Sequence, residues 1–238
     1  ISAAKNTTLA NNSDFSGAKV VTIDTSGAFS DTSTNGLAAA QNMTLSGAGS
    51  KAAMTFTNLV GATGLAYSQT INASGLKAGL TFTGGVDAGS GSLTVDASGV
   101  TGAVDMSAMD AAGTVTFTAS SLGANTLDQI SGKTVVVNAT DALGGVTFSG
   151  GATDISLGSS ATINGPTVSA TDVDIVATAA ATAITVTATG GIVADTYDVK
   201  SGAATASVTV SGDGGLGTDV YGVELVNFTT NTTSTVTV

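Results

Sequence analysis

The chain has 238 residues and a formal net charge of -11, from 17 acidic side chains against 6 basic ones, every basic one a lysine. No basic patch is available to displace the counterions of a nucleic-acid backbone, so nucleic acid is excluded as a partner. With no His and no Cys, the chain holds no Ser-His-Asp or Cys-His constellation and no zinc site of the usual nitrogen and sulfur kind.

What remains is oxygen, from Asp carboxylates, Asn amides, hydroxyls and backbone carbonyls, which is the ligand set of calcium. Hydrophobic residues make up 42%, but many are alanine, aromatics are 4% and Trp is absent. A core of thin Val, Ile, Leu and Phe layers is expected, not a bulky globular centre. The Gly-, Thr- and Ala-rich background without Cys fits an extracellular bacterial surface protein. ISAAKNTTLA lacks the basic and apolar regions of a signal peptide, and the abrupt start and finish lead us to expect a segment of a longer polypeptide. The most apolar run, residues 177–194, carries too much Thr and Gly for a membrane span, so membrane insertion is not expected.

In chain order, the dominant signal is a short apolar-polar-apolar unit with period two, the mark of a half-buried strand. Its second apolar position falls at Ile23 and Leu45, with Leu37 to Gln41 between them as the one place for a turn or two of helix. It recurs at Phe56, Ile71, Phe82, Val95, Met106, Phe117, Leu127, Val137, Phe148 and Leu157, a ruler of roughly eleven residues. Four units are near copies, Met54-Thr55-Phe56, Leu80-Thr81-Phe82, Val115-Thr116-Phe117 and Val146-Thr147-Phe148, and their Phe are expected to share one buried face. Small-residue corners separate the beats: Asp24-Thr25-Ser26-Gly27, Asn72-Ala73-Ser74-Gly75, Asp96-Ala97-Ser98-Gly99 and Asn138-Ala139-Thr140-Asp141. In these the Asp or Asn side chain can bond to backbone two residues on. Residues 159–171, around the single proline Pro166, interrupt the ruler as a joint. The beat resumes at Ile175, Val186, Tyr197 and Val210.

Two stretches match beat for beat, INASGLKAGLTF at 71–82 and VDASGVTGAVDM at 95–106. An all-β parallel solenoid, with about eleven residues per strand plus turn, accounts for such repeats and recurrent corners; tandem β-sandwich domains are the alternative. The expected organisation is solenoid repeats over 1–158, the joint at 159–171, and a second β-rich segment over 172–238.

These repeats resemble those of bacterial surface-layer proteins of the RTX type, which are secreted by type I machinery and assemble into a crystalline coat. GGLGTDVYG at 214–222 is similar to the calcium nonapeptide G-G-x-G-x-D-x-U-x, with Tyr221 in the large apolar slot, and GVELVNFT at 222–229 resembles the strand that often follows it. The resemblance implies calcium held by the Asp219 carboxylate and the Gly215 and Gly217 carbonyls, with Asp213 close by. The motif occurs clearly once, whereas the family clamps calcium between successive copies; GGATD at 150–154 departs from it.

The leading expectation is a structural protein of a cell-surface layer that self-associates in a calcium-dependent way, anchored to the cell through a region outside this chain. A stalk of a secreted adhesin, or a filament subunit, needs the same local physics. A β-helical polysaccharide-degrading enzyme could nominate Asp172 with Asp174 or Asp195 with Asp198, but the chain has no Arg or His for an acidic sugar, and no enzyme is expected. The N-x-S/T triplets at Asn6, Asn11, Asn42, Asn72, Asn138, Asn227 and Asn231 arise readily in so Thr-rich a chain, leaving glycosylation a minor possibility.

Overall fold

A computed structural model describes residues 1–148 except 4, 11–14, 16, 34–36, 38, 48–51, 59, 62–66, 140–141 and 143–145. Beyond 148 it describes the backbone of the strands alone, and side chains are described no further than Val146. Among the described residues the strands form one 23-stranded parallel sheet.

Strands β1 (Ser2–Ala3) and β2 (Thr7–Leu9) come first, followed by β3 (Val20–Thr25), β4 (Phe29–Asp31), β5 (Asn42–Gly47), β6 (Met54–Phe56) and β7 (Val60–Gly61). Next are β8 (Gln69–Leu76), β9 (Leu80–Phe82), β10 (Val86–Asp87), β11 (Leu93–Asp96), β12 (Val104–Met106), β13 (Met109–Thr118), β14 (Asn125–Leu127) and β15 (Ile130–Asn138). The last are β16 (Val146–Phe148), β17 (Ile155–Gly165), β18 (Val168–Ala177), β19 (Ala181–Ala188), β20 (Ile192–Ser201), β21 (Thr205–Ser211), β22 (Val223–Glu224) and β23 (Thr233–Thr237).

Pairing sorts these strands into three columns, so each turn of the solenoid has three sides. The first side runs through β1, β3, β5, β8 and β11, then the later parts of β13, β15 and β17, then β19, β21 and β23. The second runs through β2, β4, β6, β9, β12, β14 and β16 to the first residues of β18 and β20. The third takes β7, β10, the early parts of β13, β15 and β17, the later parts of β18 and β20, and β22. Long strands such as β13 turn a corner and serve two sides, with a register shift between Ala111 and Thr114.

Every pairing is parallel, which rules out the sandwich alternative, since its neighbouring strands are antiparallel. The eleven-residue ruler is half a turn. Ile23 stacks on Leu45; Ile71 stacks on Val95, and Phe82 on Met106. The matched stretches 71–82 and 95–106 are therefore successive turns in register, with Asn72 against Asp96. Beats from Phe56 to Phe148 alternate between second and first sides. Up to β17 the third side is two or three residues wide and falls between those beats; in β18 and β20 it widens to six residues, and it carries the beats at Leu157, Ile175 and Tyr197.

The four Phe do not share one column. Phe56 and Phe82 stack on the second side, where the register also carries Phe148. Phe117 lies on the first side between Val95 and Val137. Both sides use the same inward-outward-inward beat, so local sequence cannot separate them. At Leu37 to Gln41 the described residues make a single turn and no helix, with Ala40 N–H donating to Leu37 O.

Alternation builds the interior. In β3 the side chains of Val21, Ile23 and Thr25 are buried while Val20, Thr22 and Asp24 are exposed. Inward residues stack on their counterparts one turn away, and Phe56 lies face to face with Phe82 at 4.6 Å and 10°. Phe29 meets Phe56 at 5.8 Å in a tilted arrangement. Such ring pairs add attraction beyond the area they bury.

The corners follow the side-chain mechanism read from the sequence. Ser74 N–H donates to Asn72 Oδ1 at 3.0 Å and Ser98 N–H to Asp96 Oδ1 at 3.0 Å. Glycine is required where turns touch: a Cβ at Gly99 would lie 1.7 Å from Ser74 O. Gly89, at φ 58°, closes the corner after β10 by donating its N–H to Asp87 Oδ1 at 2.6 Å.

Phe82 is wholly buried and in ring contact with its neighbour, so Phe82→Ala is expected to lower unfolding free energy by about 3–5 kcal/mol. Denaturant titration followed by far-ultraviolet circular dichroism reads this directly.

Candidate functional site

Acidic residues are the candidate chemistry, and the three sides carry them unequally. On the third side, backbone register sets Asp174 against Asp198 and Asp198 against Glu224. Three acidic residues thus occupy one position on successive strands, about 4.8 Å apart along the stack. Earlier on the same side Asp87 is in register with Asp110. Like charges directly opposite one another destabilise a sheet, and hard divalent cations bound by oxygen relieve such repulsion.

The second side carries another acidic pair. Asp105 occupies the central outward position of β12, between Thr81 and Thr126 on the adjoining strands. Asp128 follows β14 directly, its N–H donating to Met106 O at 2.9 Å. Desolvation by burial, and after it the charge of Asp128, hold the Asp105 carboxyl above the usual carboxylate range.

Other acids serve the backbone. Asp31, buried at 3% exposure, accepts the Ser33 N–H at 3.0 Å. Together with Asp87 and Asp96, it spends carboxylate capacity on turns. Lys77 sends its ammonium to Gly99 O at 3.2 Å and so ties adjacent turns together. Among the described residues, no group of three acidic side chains is gathered closely enough to hold a metal ion.

The calcium ligands expected from the nonapeptide, Asp213, Gly215, Gly217 and Asp219, lie outside the described residues, as do 150–154 and Tyr221. The flanking strands are placed: β21 belongs to the first side, beside β19 and β23, and β22 to the third, beside β20. The nonapeptide lies between them in sequence, and Glu224 of the acidic column follows it closely.

No protein-family model, curated protein or solved structure matches the chain.

Asp172 and Asp174 both lie in β18, where Asp172 pairs with Thr196 and Asp174 with Asp198. Only Asp174 is therefore in line with Asp198 along the stack. The apolar run 177–194 is shared among β18, β19 and β20, and among the described residues no helix is long and apolar enough to cross a membrane. Sequence reasoning missed the Asp105–Asp128 pair and the Asp174–Asp198–Glu224 column. Their members are 23 to 26 residues apart, and the available signal was the turn length itself, applied to acids as well as to apolar beats.

Because folding raises the Asp105 pKa, the folded state holds that proton more tightly than the unfolded chain. Its contribution to stability is unfavourable at neutral pH and disappears as pH falls through the raised pKa. Asp105→Asn should therefore melt above the wild type at pH 7, with the difference vanishing near pH 3, as read by thermal melts across that range.

Proposed function

We propose that this chain is an assembly module of a bacterial cell-surface layer, working outside the cell and held together in a calcium-dependent way. The observation that carries the reading is the in-register column Asp174, Asp198 and Glu224, entered directly after the calcium-type nonapeptide. At a net charge of -11, copies of the chain repel one another until cations neutralise part of their surface. Calcium at Asp219, with the Gly215 and Gly217 carbonyls and Asp213, would fix the connection between the first and third sides. It would also lower the charge of the acidic side next to it.

The work is mechanical, and no enzymatic step is assigned. A repeat architecture in which each turn contacts chiefly its neighbours gives a rod that can be lengthened without changing its local physics. That extended stack of parallel strands also suits the stalk of an adhesin or a filament subunit, which is the second reading.

Static light scattering with electron microscopy, during titration with calcium and then a chelator, tests the proposal. Ordered sheets or arrays that form with calcium and dissolve on chelation are expected. A monomer indifferent to calcium would contradict ion-dependent assembly and favour the stalk.

A further inference from the structure

We infer that the first side of the solenoid is the surface on which a second copy of this chain docks, face to face. This rests on the assembly reading above and identifies the contact that it leaves open. Three observations lead to it.

The first is size. Beyond the two-residue β1, ten strands from β3 to β23 form this side. At about 4.8 Å per strand, and about five residues of about 3.3 Å across, they make a face of roughly 800 Å². A standard stable interface buries about 800 Å² per partner. The second side, built largely from three-residue strands, is only about 10 Å wide and falls well short.

The second is charge. Along the two central outward columns of the described strands of the first side, β3 to β15, the residues are chiefly Thr and Asn, with Asp96 the one charged residue there and Asp24 exposed at the edge of β3; the backbone register continues in Thr, Asn and Ser through β17 to β23. Thr44, Thr70, Asn72 and Thr94 are exposed there. In-register or neighbouring acids lie on the second and third sides, as Asp105 with Asp128 and as Asp174, Asp198 and Glu224. For a chain this acidic, the nearly neutral side is where two copies approach at least electrostatic cost.

The third is periodicity. Outward rows repeat at the strand spacing of about 4.8 Å, and a partner matches them row for row only if it has the same spacing. A second copy does. Rows of Thr and Asn from facing sheets can interdigitate and hydrogen-bond across the contact, as identical side chains do between paired sheets. Self-complementary contact of one surface with itself gives a closed two-fold pair. Thr116 on β13, the fifth of the ten strands, then lies near its own symmetry mate.

The absence of cysteine allows a clean test. Thr116→Cys, oxidised under mild conditions with calcium present, is expected to give a covalent dimer, whereas Thr83→Cys on the second side stays monomeric. In sedimentation equilibrium, the double variant Thr70→Lys/Thr94→Lys should associate at least tenfold more weakly than wild type. The control Thr57→Lys/Thr83→Lys should associate like wild type, with thermal melts verifying that both remain folded. Both variants make the chain less negative, so a loss confined to the first-side variant cannot come from general repulsion. Unchanged association of Thr70→Lys/Thr94→Lys, or a loss confined to the control, overturns the first side as the contact and leaves calcium-dependent assembly standing. A wild-type chain that stays monomeric at every calcium concentration overturns both.

Discussion

The in-register stacking of inward side chains from one turn to the next is the constraint on which the molecule depends. Few large residues are available, so no single turn can bury much alone. Phe56 on Phe82, and Ile71 on Val95 on Phe117, combine thin layers into a continuous core. Because a strand's side chains alternate with period two, a one-residue slip would carry the whole inward set to the surface and the Thr and Asn rows inside. Corners enforce the same register. Asn72 and Asp96 each hold the backbone two residues on, and Gly99 sits so close to the turn below that no side chain fits.

Much of this was legible. The match between 71–82 and 95–106 is the stacking register written in sequence, since Asn72 meets Asp96 and Phe82 meets Met106. The third side was not legible, because Val60, Val86, Met109 and Ile130 sit in segments of two or three residues at corners, too short to show alternation. The placement of Phe117 was lost for a related reason: Val115-Thr116-Phe117 and Leu80-Thr81-Phe82 carry the same local pattern on different sides. Charge partners such as Asp105 and Asp128 belong to different turns, and only the register joins them. The nonapeptide could be read as a pattern, but its residues lie outside those described, so its geometry adds nothing to the pattern.

Stacking also turns a weak compositional bias into surfaces. Scattered along the chain, acids, threonines and asparagines look like ordinary solvated positions. Wound with three sides per turn, acids come into register with one another on the third side and adjoin on the second, while the widest side carries only Asp24 and Asp96 among its described acids. Repulsion along the acidic column and the low charge of the wide face are two aspects of one arrangement; on the proposed reading, cations would act on one side and copies would meet on another. Assembly, on this account, needs no dedicated docking domain in the described part of the chain.

The register itself is open to direct measurement. Thr70 and Thr94 are in-register outward neighbours on adjacent turns, spaced about 4.8 Å apart, inside the Cα separation of about 4.4–6.8 Å that a disulfide spans. Thr70 and Thr116 are two turns apart, too far to be bridged. Mild oxidation of dilute, calcium-free Thr70→Cys/Thr94→Cys should yield an intramolecular disulfide, identified by peptide mass, while Thr70→Cys/Thr116→Cys forms no intramolecular disulfide. A Thr70→Cys/Thr94→Cys chain that stays reduced, or equal bridging in both variants, would contradict the stacked register and the account built on it.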